Sequence, residues 1–201
     1  AVIDDILLIK SHGNQIDIMP TGELTMKGGS IAYGSASGVS NQGIMVMNGG
    51  SIYNHEYCGV VNSKQFDMKG GSVLNNKDKG IVNKNGGKLL IVDAGANVGS
   101  NASGIINEEN AYCELANANI SGNKTNNVIN LGEIYIHDIS LRNSGSNSLN
   151  TQHGGHTELK DVEIDGTTKN HGIYCAFGGV IEMTNVTVKN TASRGIQNYD
   201  G

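Results

Sequence analysis

Apolar and polar residues alternate along this chain in short runs, and clusters of glycine and asparagine separate the runs. In the run from Leu24 to Met26 the two apolar side chains point the same way, because successive residues of a strand face opposite sides. Alternation with a period of two is typical of short, half-buried strands. No stretch has the spacing of an amphipathic helix, so the pattern predicts an all-β chain.

The runs recur with a period of about 21 residues. Segments 24–31, 45–52 and 66–73 align directly as LTMKGGSI, MVMNGGSI and FDMKGGSV. A second marker, Gly-Val-x-Asn or Gly-Ile-x-Asn, follows each segment, and changed forms of it continue at intervals of 20 to 25 residues as far as Asn198. About eight repeats with three short strands each predict a solenoid in which every coil stacks only on its neighbours.

The asparagine of the marker is expected to stack in one column along the solenoid. A side-chain amide both donates and accepts hydrogen bonds, so it can bind the amide of the next coil and the backbone of the turn. We interpret this column as structural rather than as a row of ligand-binding amides. Its predicted members are Asn41, Asn62, Asn83, Asn107, Asn130, Asn150 and Asn198, with Cys175 at the remaining position.

The marker, together with the stretch GGVIEMTNVTV at 178–188, resembles the coils of right-handed parallel β-helix proteins of the pectate-lyase superfamily. This resemblance covers the whole chain and is weakest over residues 1–20. It implies a right-handed, single-stranded parallel β-helix, and parallel crossovers in general have that hand. We therefore expect about eight coils of three short strands, similar to repeat regions of bacterial secreted and surface proteins.

The two ends of the chain differ from the middle. Pro20 is the only proline and suits an edge or terminal coil, so residues 1–20 are expected to form an irregular first coil or cap. Residues 21–201 are expected to form the β-helix repeats. They end directly after a marker, and we expect this repeat region to continue C-terminally in a longer protein, because an uncovered sheet edge promotes aggregation.

Composition narrows the range of partners. The chain has 201 residues, 26 of them asparagine and 29 glycine, with a net charge of −5 and only 16% charged residues. This charge disfavours nucleic acid as a partner. No apolar run reaches the length of a membrane span, so membrane insertion is not expected.

Three cysteines are too few and too far apart for a zinc site or a complete disulfide framework. Cys113 falls in an inward strand position and Cys175 at a position of the asparagine column. Both are expected to be small buried residues with reduced thiols.

The weak catalytic candidates form one group late in the chain: His153, His156, Asp161 and Glu163. Carboxylates and imidazoles of this kind can serve as acid and base. Simple alternation also places Asp161 and Glu163 on the solvent side, because Val162 and Ile164 face inward. The carboxylates of the family's galacturonan-cleaving motifs are missing here, and we expect no cofactor or metal site. Calcium would enter only if the chain were an enzyme.

An outward column of the third strand is unusually apolar. The same alternation that points the asparagines inward places Val61, Val82, Ile106, Ile129, Leu149 and Tyr174 outside. A monomer rarely leaves such a stripe uncovered, which predicts self-association or a partner surface made of protein or glycan. The alternative is that these residues only raise β propensity.

Three functions remain open. The first is a non-catalytic binding or spacer segment of a secreted or cell-surface bacterial protein, adhesin-like and extracellular. It is favoured because the nearly constant repeat length leaves no room for the long loops that wall a substrate cleft. The second is a fragment of a polysaccharide lyase or glycoside hydrolase acting on acidic polysaccharide. The third is a carbohydrate-binding module, which the absence of tryptophan makes less attractive.

Overall fold

Each repeat folds into one coil of a parallel β-helix, and the described part of the chain forms nine coils stacked along a common axis. The computed structural model describes residues 1–200, so Gly201, the last residue of the predicted repeats, lies outside it. The coils, numbered 1 to 9, begin near residues 1, 23, 44, 65, 88, 112, 133, 156 and 180. The count of nine is close to the eight expected. No helix interrupts the strands in the described part of the chain.

Each coil contains three strands, and strands at the same place in successive coils pair in parallel. The first strands of coils 1 to 6 are Val2–Ile3, Glu23–Met26, Ile44–Met47, Gln65–Met68, Lys88–Ile91 and Tyr112–Ala116. Their second strands are Leu7–Ile9, Ser30–Ala32, Ser51–Tyr53, Gly70–Leu74, Gly95–Gly99 and Asn119–Ser121. In coils 7 to 9 the two join into the bent strands Glu133–Ser144, His156–Thr167 and Val180–Lys189. The third strands are Ile16–Ile18, Val39–Asn41, Val60–Asn62, Lys79–Asn83, Ser103–Asn107, Val128–Asn130, Leu149–Thr151, Ile173–Ala176 and Ile196–Tyr199.

The inward columns predicted from alternation form the core. Met26, Met47 and Phe66 from the first strands are buried, as is the Ile31 column of the second strands and the Val39 column of the third. Like side chains stack on like at each step of the helix, with a spacing of about 4.8 Å. The continuous apolar column through the middle of the solenoid is therefore a direct product of the sequence repeat.

Residues 1–20, expected as an irregular first coil or cap, are more regular than that description. Their three strands pair with those of coil 2, and Ile18 rather than Pro20 lies opposite Asn41. Val2 and Leu7 are about 60% exposed at this end of the stack.

The corner between the first and second strands needs glycine in the early coils. Gly29 has a φ of +81°, and a Cβ at this position would collide with the carbonyl oxygen of Ile6 in the coil below. Only glycine combines this left-handed backbone with such a close approach. The Gly-Gly pair of the aligned segments is explained by this corner.

The predicted asparagine ladder is present over five coils. The Nδ2 of Asn41 donates to the Oδ1 of Asn62 at 2.7 Å, and the same bond links Asn62 to Asn83, Asn83 to Asn107 and Asn107 to Asn130. All five side chains are fully buried. The ladder thus satisfies polar groups that would otherwise be unpaired inside the corner between the third strand of one coil and the first strand of the next.

Beyond Asn130 the predicted register is wrong by one residue in coil 7. Thr151, not Asn150, lies opposite Asn130, and Leu149 lies opposite Val128 in the core. Leu149 is fully buried, whereas Asn150 takes the outward position. Burial of leucine decides the register here, because a slip of one residue would move every side chain of the strand to the other face.

A second ladder, not predicted from the sequence, runs through the corner between the second and third strands. Its members are His55, Asn76, Asn101 and Asn123, all buried. The Oδ1 of each asparagine accepts a bond from the backbone N–H of the member one coil below it, at 2.9 to 3.1 Å.

The residue before each of these members takes a left-handed φ, for example 58° at Asn54 and 55° at Asn75. Asparagine tolerates that conformation better than most residues.

Candidate functional site

The third strands of the coils form one sheet, here called the third sheet, which presents a shallow groove with an apolar floor. Val61, Val82, Ile106 and Ile129 stack in register on its outer side, and we call these four residues the third-face stripe. The stripe ends at Asn150, because Leu149 belongs to the core, and Tyr174 lies one coil farther on. The six-residue column predicted from sequence is therefore four residues long, or about 14 Å at the usual coil spacing.

Charged side chains wall the groove. A cavity of about 320 Å³ lies over Val61, Val82 and Ile106, and its lining includes Lys84 and Glu108. These two pair at 2.7 Å across adjacent coils. The walls also cover part of the stripe, so that Val82 is only 5% exposed although it points outward.

A second concavity arises from unequal corner lengths after the third strand. The corner of coil 6 has only two residues, Leu131 and Gly132, whereas the corners of coils 5 and 7 have four, at 108–111 and 152–155. The short corner is tied to its neighbours by a bond from the N–H of Leu131 to the carbonyl of Asn107 and by one from the N–H of His156 to the carbonyl of Gly132. A short corner between two longer ones leaves a gap, which we call the notch.

The notch is an open depression of about 470 Å³, and it is lined mainly by polar side chains. Glu109 and His153 stand on the two long corners, and Tyr112, Glu133 and His156 begin the first strands beside them. Tyr112, Glu133 and His156 also line the adjoining depression toward Glu158.

Tyr112 is the aromatic wall of the notch. Its hydroxyl donates to a carboxylate oxygen of Glu114 at 3.2 Å, and the Lys88 ammonium lies 6.0 Å from the ring centroid. Burial, assisted by the negative charge of Glu114, raises the pKa of the Tyr112 phenol to about 12. The phenol is therefore protonated at neutral pH, and its proton is donated to Glu114.

The four catalytic candidates do not form one constellation. His153 and His156 both line the notch; His153 stacks on Phe177 with ring centroids 5.4 Å apart, and Nε2 of His156 lies 3.3 Å from Glu182.

Asp161 instead occupies the bend of strand His156–Thr167 with a φ of 54°, and its carboxylate accepts from Asn185. Glu163, beyond the bend, is held by Arg142 at 2.9 Å and Lys189 at 2.8 Å. Both carboxylates have structural partners away from the notch.

Neither thiols nor metal ligands add to these sites. All three cysteines are free and buried, and burial raises the pKa of each thiol. Among residues 1–200 no group of three or more histidine, cysteine or acidic side chains is arranged to hold a metal ion. The same residues contain no apolar helix long enough to cross a membrane.

Comparison with known proteins returns no match: no family model, no curated protein sequence and no solved structure aligns significantly with this chain. The parallel β-helix architecture is established by the strand pairing itself, and membership of the pectate-lyase superfamily remains a resemblance.

Proposed function

We propose that this chain is a non-catalytic binding segment of an extracellular or bacterial cell-surface protein, in which a rigid β-helix presents a lateral contact face. The third-face stripe carries this proposal. Val61, Ile106 and Ile129 are only half-buried on this outer face, and complete burial of such a side chain is worth at most about 1–2 kcal/mol. A stack of nine coils, about 40 Å long, would hold such a face rigidly.

The contact that fits the stripe best is a second copy of the chain. Its walls carry both signs of charge, with Lys84 beside Glu108 and Lys79 beside Asp78. A two-fold arrangement would bring the apolar floors together and place the lysines of one copy opposite the acids of the other, as self-complementary interfaces require.

The alternative, a lyase or hydrolase fragment acting on acidic polysaccharide, has less support. The carboxylates of Asp161 and Glu163 are bonded to neighbouring side chains. His153 and His156 line the notch, and neither carboxylate does. A general acid or base must lie within hydrogen-bond reach of the proton that it transfers, and the partners of Asp161 and Glu163 hold both carboxylates away from the notch.

Sedimentation velocity over a range of concentrations tests the proposal. Ile106→Ser combined with Ile129→Ser should weaken self-association tenfold or more, from the apolar area lost. Val46→Ser combined with Leu90→Ser is the matched control. These residues are also apolar and half-buried, but they point outward from the first strands and lie away from the stripe. The proposal fails if the wild type stays monomeric at every concentration, or if both double variants associate like the wild type.

A further inference from the structure

The notch combines the groups that proteins use to hold a sugar ring. Glu109, Glu133, His153 and His156 provide donors and acceptors on several sides, and Tyr112 provides an aromatic face. Its volume of about 470 Å³ lies in the usual range of small-molecule sites. Aromatic faces pack on the apolar side of a ring while the polar groups bind its hydroxyls.

The charge around the notch selects between kinds of saccharide. Five carboxylates lie in or beside it, against only two lysines, Lys88 and Lys160. The carboxylates are those of Glu109, Glu114, Glu133, Glu158 and Glu182. An acidic polysaccharide would be repelled by this excess of negative charge, whereas a cationic one would be attracted.

A cation is already accommodated at one wall. The Lys88 ammonium lies over the ring of Tyr112, whose hydroxyl is bonded to Glu114. Electron-rich ring faces beside carboxylates attract ammonium groups in this way.

We propose that the notch binds a saccharide unit bearing a free amine. The ammonium lies between Glu109 and Glu133, the ring packs beside Tyr112, and the imidazoles of His153 and His156 bond to hydroxyls. The notch adjoins the third-face stripe, since Glu109 and Leu131 also line a cavity beside Ile106. None of the four stripe residues lines the notch itself, so sugar binding and self-association can be tested with different variants.

Isothermal titration calorimetry with three tetrasaccharides at low ionic strength and near-neutral pH tests the assignment. The probes are tetraglucosamine, its fully N-acetylated form and tetragalacturonate. Tetraglucosamine should bind with an affinity that falls as salt is added, because exposed charges are screened. The acetylated form should bind at least several-fold more weakly, and tetragalacturonate should not bind.

Glu109→Gln combined with Glu133→Gln should weaken tetraglucosamine binding about tenfold, since two exposed charge contacts are lost. Glu23→Gln is the matched control. Glu23 is exposed and occupies the same position of a first strand as Glu133, but it lies five coils away. It should bind like the wild type. The Ile106→Ser, Ile129→Ser variant should also retain full sugar binding.

Three results would overturn the proposal: no heat from tetraglucosamine at millimolar concentration, equal binding by the Glu109→Gln, Glu133→Gln variant, or equal affinity for tetragalacturonate. Tetralysine is included as a fourth probe. If it binds as tightly as tetraglucosamine, charge alone explains the interaction and the saccharide assignment is wrong.

Discussion

The asparagine ladder makes a quantitative prediction at Asn83, in the middle of the stack. The Nδ2 of Asn83 donates to the carbonyl of Gly87 at 3.1 Å, to the carbonyl of Tyr112 at 2.9 Å and to the Oδ1 of Asn107 at 2.8 Å. Its own Oδ1 accepts from Asn62 at 2.7 Å. Because the side chain is fully buried, water cannot replace these contacts.

Asn83→Ala removes these contacts, in which the two N–H groups of one amide are shared among three acceptors, and it leaves the Nδ2 of Asn62 without its side-chain acceptor. Each net hydrogen bond is worth about 1 kcal/mol, and an orphaned buried group costs about as much again or more. The free energy of unfolding should therefore fall by about 3–5 kcal/mol, a large part of the stability of an ordinary domain.

Urea unfolding followed by circular dichroism measures this loss. With a denaturant slope near 2 kcal/mol/M, the midpoint should fall by about 2 M. Asn85→Ala is the matched control, since Asn85 is exposed two residues farther along the same corner. It should change stability by less than about 0.5 kcal/mol. A loss below about 1 kcal/mol for Asn83→Ala would show that the ladder does not stabilise the corner as described.

Three further predictions concern titratable groups whose pKa is shifted by burial or partial burial. Cys113 is fully buried and its thiol pKa is raised, so a thiol reagent should label it only after unfolding; rapid labelling of the native protein would contradict the inward assignment. His55 is buried and neutral, because its Nδ1 accepts a hydrogen bond from the backbone N–H of Gly34, and burial lowers the pKa of the imidazole. The unfolded state therefore binds a proton more readily than the folded state. The free energy of unfolding should be highest above about pH 6.5 and should fall as the pH drops below that value. His55→Asn, which matches the residue type of the next coils, should flatten that slope in urea titrations at several pH values, and an unchanged slope would refute the assignment. Tyr112 should ionise near pH 12, and Tyr112→Phe should remove this late step from an absorbance titration of phenolate. If the variant instead loses a step near pH 10, the raised pKa of Tyr112 is wrong.

Much of the fold can be read from the sequence because a solenoid uses local rules repeatedly. Each coil contacts only its neighbours, so the period of the repeat directly gives the stacking of Asn41 to Asn130 and of the inward columns. The same locality explains why the burial of Cys113 is predictable from alternation alone.

The sequence is misleading where two local signals compete. In coil 7 both Asn150 and Thr151 fit the ladder position by spacing, and matching asparagine to asparagine places Leu149 outside. The structure resolves the conflict by burying Leu149 in the core. The free energy gained when leucine leaves water exceeds what is lost when Thr151 replaces Asn150 at the ladder position. The second ladder through His55 and Asn76 also has a signal in the sequence: an asparagine or histidine recurs three positions after the inward residue of the second strand in coils 3 to 6.

The sequence by itself therefore determined the all-β solenoid, the inward columns and the ladder over Asn41 to Asn130, because these depend on periodicity along the chain. Only the tertiary structure decided the length of the third-face stripe, the separation of Asp161 and Glu163 from His153 and His156, and the existence of the notch. The notch depends on how corners of different length stack across coils about 20 residues apart. The stripe ends where Leu149 joins the core, and the bend at Asp161 separates the two carboxylates from the histidines. Lateral proximity of that kind follows from the path of the backbone in space, which no local pattern of residues encodes.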